Sequence, residues 1–183
     1  MDEAFYIAAP RLSLVTIPTA VLEGCTRGAA SDLVAATVLD AAGTLRDIVY
    51  PADWPGDAVK MFAPLLARRR VGAPREGVLG AIVERTHGIA VGNMGTHGPP
   101  VGGRVEVGYG IVPAFEGRGY ATEMLRAFTS WLFAVGGVAE FTAETVARNT
   151  GSMRVLQKNG YVRAGTRLDG AGSLVLWTRT CGA

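Results

Sequence analysis

The stretch from Glu106 to Leu125 constrains this chain most. Val105, Val107, Tyr109 and Ile111 alternate with Glu106, Gly108 and Gly110, so a strand over Arg104–Val112 is expected with the two sets on opposite faces. Pro113 stops it, because proline has no N–H for a ladder. A turn follows, Glu116-Gly117-Arg118-Gly119-Tyr120-Ala121-Thr122. It leads into a helix expected from about Gly119 to Val135. Met124, Leu125, Phe128, Leu132 and Val135 form the apolar stripe of that helix, and Glu123, Arg126 and Thr129 lie outside it. A glycine-bearing turn just ahead of a helix aims several backbone N–H groups at one point. The helix dipole adds partial positive charge there, which makes an anion site suited to a pyrophosphate. Taken alone, the glycines favour the plainer reading of a tight turn that needs positive φ. Two phosphate loops are excluded. There is no G-x-x-x-x-G-K-[ST], and a G-x-G-x-x-G would need glycine where Thr122 stands.

The rest of the chain reads as helices alternating with strands. Leu12 to Thr16 alternates and ends at Pro18, and Thr19 to Cys25 reads as a short helix. Residues 26–50 are ambiguous. Ser31 is a fitting N-cap for an Ala-rich helix over Asp32–Leu39. Trp54 to Arg70 has helical spacing, with a kink or a break into two helices expected at Pro64. Gly77 to Glu84 and Ile89 to Met94 suggest a hairpin, and residues 97–103 a loop. After Gly136-Gly137 comes a strand from Ala139 to Val146. Asn149 caps a helix over Thr150–Asn159, closed by Gly160. Tyr161 to Leu168 and Ser173 to Arg179 form a last pair of strands. The expected fold is one α/β domain over residues 1–183, without linker or internal repeat.

Composition narrows the function classes. Hydrophobic residues make up 49% and charged residues 19% of 183, which excludes a disordered chain. Lys and Arg number 18 against 16 Asp and Glu, and a net charge of +2 argues against a dedicated nucleic-acid binder. Cys25 and Cys181 are too few for a disulfide framework and read as free thiols of a reducing compartment. No cluster has zinc-ligand spacing, so no metal is expected. No apolar run approaches a membrane span, and the first residues are acidic where a secretory signal is basic. A cytoplasmic protein is therefore expected.

Glu116-Gly117-Arg118-Gly119-Tyr120-Ala121 resembles the signature Gln/Arg-x-x-Gly-x-Gly/Ala of the GCN5-related N-acetyltransferases (GNAT). Glu116 replaces the usual Gln or Arg; the backbone donors are unaffected. The resemblance extends to Glu106-Val107-Gly108-Tyr109 before the turn and to Gly119-Tyr120-Ala121-Thr122-Glu123 in it. It includes Asn149-x-x-Ser152-x-x-Val155-Leu156-x-Lys158-x-Gly160-Tyr161, and Pro10-Arg11-Leu12-x-Leu14 near the start. These look like the branch that contains acetyltransferases of ribosomal-protein N-termini. The match spans roughly residues 10–180 and is strongest over 104–163.

The resemblance implies a mixed, mostly antiparallel sheet of six or seven strands, helices on both faces, and splayed fourth and fifth strands that hold acetyl-CoA between them. It implies that the backbone of Tyr109 and Ile111, with Val112 alongside, binds the acetyl carbonyl and pantetheine arm. The N–H groups of Gly117, Arg118, Gly119, Tyr120, Ala121 and Thr122 would hold the pyrophosphate. Asn149 would touch the pantetheine, or serve as a plain N-cap, or both. Many family members carry a Tyr where Leu156 stands; in this branch a Ser sits where Ser152 is, close to the thioester sulfur. Ser152 is thus the candidate partner of the leaving thiolate, against the plainer role of an N3 serine. A homodimer is the family's habit, and the oligomeric state stays open.

The chemistry is attack of a neutral amine on a thioester, which needs a proton acceptor, oxyanion donors and help for the thiolate. Glu106 is the candidate base, directly or through water. Gly108 and Gly110 beside it leave room for substrate, and a partly dry cleft is expected to raise its pKa. The alternative is a surface glutamate paired with Arg104 or another cation. Glu144, with Glu140 and Thr142 on one strand face, is the second candidate. His87 and His97 are read as solvent-exposed. Trp54 either lines the acceptor pocket or packs in the core. The acceptor is a primary amine, on a peptide N-terminus or a small molecule. An α-amine, with pKa ~8 against ~10.4 for lysine, loses its proton more easily. Two rivals stand beside the enzyme: a non-catalytic CoA-binding sensor or scaffold, supported by Glu116 and the missing Tyr, and an ATP- or NAD-binding protein.

Overall fold

The computed structural model describes residues 5–28, 33–38, 44–71, 77–170 and 172–180. The elements run β1 (Tyr6–Ala8), β2 (Leu12–Thr16), α1 (Thr19–Thr26), β3 (Leu33–Val38), β4 (Leu45–Tyr50), a 3-10 turn (Gly56–Met61) and α2 (Phe62–Arg70). They continue with β5 (Leu79–Glu84), β6 (Ile89–Thr96), β7 (Arg104–Ile111), a 3-10 turn (Pro113–Phe115), α3 (Tyr120–Gly136), β8 (Glu140–Val146), α4 (Thr150–Lys158), β9 (Val162–Asp169) and β10 (Gly172–Thr180). The sheet runs β1-β2-β5-β6-β7-β8-β10-β9, and the hairpin β3–β4 joins it through β6. It is mixed and mostly antiparallel, as expected. Among the described residues it has ten strands rather than six or seven; the short β1 and the β3–β4 hairpin account for the excess.

Strand alternation divides the core between the two faces of the sheet. Leu12, Leu14, Ile82, Val91, Val105 and Val107 pack with Met124, Leu125, Phe128 and Leu132 of α3 and Leu156 of α4. Val15, Ala81, Val83 and Ala90 point the other way, onto Val21 and Leu22 of α1 and Phe62 and Leu66 of α2. Helices thus cover both faces, and β2 is buried on both rather than amphipathic.

Four expectations need correction. The helix proposed over Asp32–Leu39 is the strand β3, paired with β4 from Leu33↔Tyr50 to Val38↔Leu45. Val34, Thr37 and Val38 are β-branched, and a pairing partner outweighs the weak helix propensity of the alanines. Its proposed cap Ser31 and its ends Asp32 and Leu39 lie outside the described residues, as does Cys181. Thr129 is 1% exposed rather than outside the α3 stripe. Its hydroxyl donates to the Leu125 carbonyl at 2.9 Å and accepts from Arg179 at 3.0 Å, which satisfies it in the core. Val135 is 62% exposed, beyond the last turn that packs. The break expected near Pro64 falls at Met61–Phe62, where the 3-10 turn meets α2. Pro64 sits in the first turn of α2, where its missing N–H costs nothing.

Among the described residues no helix is long and apolar enough to cross a membrane. The feature that positions the site is the divergence of β7 and β8. They pair in parallel only at Arg104↔Glu140, Val105↔Phe141 and Glu106↔Thr142. Beyond that point β7 stays with β6 and β8 stays with β10. The sheet opens into a wedge from Val107 and Ala143 onward.

Candidate active site

The wedge carries a cleft with a volume of about 1370 Å³. Backbone direction shows what its β7 wall offers. The Glu106 carbonyl accepts from His97 N–H at 2.9 Å, and Val112 N–H donates to the Val91 carbonyl at 2.9 Å, so the even-numbered residues bond to β6. Alternation turns the backbone groups of Val107, Tyr109 and Ile111 toward β8; the Glu106↔Thr142 bridge engages the Val107 N–H, and beyond it Tyr109 and Ile111 face the gap, where β8 has moved away. Donors turned into a cleft in this way can stabilise an oxyanion.

The glycine turn closes one end. Gly117 and Gly119 have φ of +75° and +79°, and Gly119 is the N-cap of the 17-residue α3. Side chains rarely adopt that backbone, and a Cβ on Gly117 would project into open space. Gly117, Gly119, Tyr120, Ala121 and Thr122 all line the cleft. Arg118 does not: its side chain folds back to donate to the Ala114 carbonyl at 3.2 Å and stacks on Phe115. Only its backbone is left for a ligand. The turn is braced from outside by Arg11, which donates to Glu123 from Nε and from its own backbone N–H, each at 2.7 Å, and to the Arg118 carbonyl at 3.1 Å.

The start of α4 stands across the gap. Asn149 Oδ1 accepts the Ser152 N–H at 2.9 Å, so the N-cap role is present, and both residues line the cleft. The Tyr109 hydroxyl donates to the Ser152 carbonyl at 3.1 Å, and burial pushes its phenol up. Leu156, where many relatives have Tyr, is fully buried.

The opposite face of β7 carries Glu106, Gly108 and Gly110, and the 3-10 turn Gly56–Met61 lies over that side of the cleft. Trp54 is 3% exposed and belongs to the core: its indole N–H donates to the Gly92 carbonyl at 2.8 Å, and it packs on Tyr50 and Phe62. Asn93 donates to the Pro55 carbonyl at 3.0 Å and holds the turn in place. Glu106 pairs with His97, not Arg104; His97 Nδ1 is 3.0 Å from Glu106 Oε1. Arg104 pairs with Glu140 instead. The expected rise in the Glu106 pKa is reversed: the hydrogen bond from His97 outweighs burial and holds the carboxyl low, while the same bond holds the imidazole high. Glu144 is in a two-pronged bond to Arg167, at 2.6 and 3.0 Å. His87 is exposed in its turn, paired with Glu84.

His97, read from the sequence as solvent-exposed, is half-exposed and lines the cleft; Asn93 and Arg167 are cleft residues that sequence reasoning left out. Extending the Val101–Arg104 bridge in strict register would set His97 opposite Gly108. The observed pairing, Thr96 with Val107, sets it opposite Glu106. An irregular loop decides this, and its sequence carries no signal for it. Among the described residues no three His, Cys, Asp or Glu side chains are grouped to hold a metal ion.

A family model for the acetyltransferase (GNAT) domain matches residues 29–162, most of the chain. This chain belongs to the GNAT acetyltransferase family. A GNAT-family acetyltransferase from Bacillus anthracis shares its fold with a TM-score of 0.64 at 18% identity, over 96% of this chain and 98% of that one. RimJ from Mycobacterium smegmatis, solved with a CoA disulfide, gives 0.64 at 17% over 97% and 87%. RimL, a ribosomal L7/L12 α-N-protein acetyltransferase solved with coenzyme A, gives 0.67 at 13% over 96% and 98%. No curated protein matches this sequence. The fourth and fifth strands of the GNAT fold are β7 and β8 here.

Proposed function

We propose that this GNAT domain, acting as one unit over residues 1–183, moves an acetyl group from acetyl-CoA to a primary amine by direct attack in a ternary complex. The observation that carries the reading is the wedge. One strand with unpaired N–H groups runs between a glycine turn at a helix N-terminus and the capped start of α4. A long, thin, anionic thioester matches that shape. Its pyrophosphate meets the N–H groups of Gly117–Thr122, and its pantetheine runs beside Tyr109, Ile111, Val112 and Asn149. Its carbonyl oxygen, as charge develops, meets donors on the open edge of β7. Ser152 lies on that side, where its hydroxyl can hydrogen-bond the departing thiolate.

The amine approaches from the other face of β7, past the 3-10 turn. The bond from nitrogen to the carbonyl carbon forms, the carbon–sulfur bond breaks, and a proton leaves the nitrogen on the side of Glu106. The α-amine of a peptide is the favoured acceptor, since it is neutral more often than lysine near pH 7 and the neighbouring folds include a ribosomal α-N-protein acetyltransferase. Calorimetric titration with acetyl-CoA, followed by CoA release over a panel of small amines and peptides, tests the reading. Micromolar binding and turnover with at least one amine are expected; a folded sample that binds no acetyl-CoA overturns it.

A further inference from the structure

We infer that His97 is the proton acceptor for the attacking amine and that Glu106 is the positioning residue that orients it. This rests on the acetyl-transfer reading above. The argument begins with the faces of β7. Ser152 and the Tyr109 hydroxyl meet on the α4 side, the side of the thioester sulfur. Glu106, Gly108 and Gly110 lie on the other side, toward the acceptor. A base belongs there, and His97 is there. The room beside Glu106 that two glycines provide is taken up by its ring. A Cβ on Gly108 would stand 2.8 Å from His97 Nε2. The missing side chain is a slot for the imidazole, and any other residue would push the ring out.

The chemistry of the pair assigns the roles. A carboxylate only accepts hydrogen bonds, so the bond between Nδ1 and Glu106 Oε1 puts the hydrogen of the neutral ring on Nδ1. The lone pair is then on Nε2, which has no hydrogen-bond partner among the described residues. Glu106 is spent on this bond and is held in its weakly basic, ionised form. The other charged groups around His97 agree with this. Glu144 on β8 adds negative potential, tempered by Arg167 of β9, whose charge also reaches Glu106. Asp57 of the 3-10 turn is exposed beside Lys60. During transfer the amine nitrogen bonds to the acetyl carbon and its proton passes to Nε2. The thiolate departs with the carbon–sulfur electron pair. The half-exposed imidazolium then returns the proton to water, and the thiolate takes one from solvent, which closes the balance.

The test uses the full chain, acetyl-CoA and whichever amine or peptide of the panel turns over fastest. His97→Gln is expected to lower kcat by roughly 100- to 10,000-fold, the range for loss of a general base. Its acetyl-CoA affinity by calorimetry should stay at the wild-type value. The wild-type pH profile of kcat/KM should rise through an apparent pKa above ~6.5, because the carboxylate stabilises the imidazolium. That limb disappears in His97→Gln, while the limb of the amine itself stays. Glu106→Gln costs less than His97→Gln and moves the limb down, toward ordinary histidine. Gly108→Ala, whose new methyl meets the movable ring first, should lose activity like His97→Gln, and the double variant should lose nothing more. Wild-type rate and profile in His97→Gln overturn the inference. So does a Glu106→Gln variant that is the more damaged and has lost the limb, since Glu106 would then be the base. Wild-type protein that binds acetyl-CoA but turns over no amine fails the acetyl-transfer reading itself, and the inference with it.

Discussion

The two sides of β7 are built differently. On the α3–α4 side, the turn and the cap each come from a continuous stretch of chain, and distant Arg11 and Tyr109 only brace them. The turn Glu116–Thr122 opens α3 with its own backbone N–H groups, and Asn149-Thr150-Gly151-Ser152 makes its own cap. On the acceptor side, the groups are strangers in sequence. His97 meets Glu106 across a loop, Asn93 holds Pro55 from 38 residues away, and Arg167 reaches Glu144 from 23. A donor common to a family needs one constant, local site. An acceptor side assembled from distant pieces can change with a loop register while the sheet stays as it is.

The largest effect should come on the donor side. Gly119→Trp puts a bulky side chain at φ of +79° on the N-cap of α3, and acetyl-CoA affinity should fall about 100-fold or more, a loss calorimetry reads directly. If it does not, the donor side is not where the pyrophosphate lies. The acceptor side should show its dependence on long-range support in Trp54→Phe. The variant keeps a ring but leaves the buried Gly92 carbonyl without its indole donor, at about 1–3 kcal/mol in chemical denaturation. Its acetyl-CoA affinity should be little changed. Asn149→Ala removes the cap on α4 and should cost about 1 kcal/mol of stability. Asn149→Asp keeps an acceptor for the Ser152 N–H, so any loss of acetyl-CoA affinity in it reports contact with the cofactor rather than the cap. The smallest effect is expected for Glu144→Gln, about twofold or less in kcat/KM, because its carboxylate is engaged by exposed Arg167 and such pairs contribute little. A large loss there would return Glu144 to the list of bases.

Legibility followed the same division. The turn, the helix behind it, the Asn149 cap and the alternation of β7 were all readable, since each depends on residues within a few positions of one another. The strand β3 was not, because Ala-rich sequence leaves the choice to a partner strand, and β4 supplied one. Thr129 falls outside the apolar stripe of its helix, but its hydroxyl bonds the turn before it and accepts from Arg179, fifty residues on. Glu106 was visible as a candidate; the partner that reverses its expected pKa was not.

By itself, the sequence determined that a strand ends at Pro113, that a glycine-bearing turn leads into a helix, and that helices and strands alternate through the chain. These rest on local rules of φ, capping and periodicity. Only the tertiary structure decided that β7 and β8 part after Glu106, that His97 fills the slot over Gly108, and that Glu144 is tied to Arg167. Register and divergence depend on how whole sheets twist and pack, and no window of neighbouring residues contains that information.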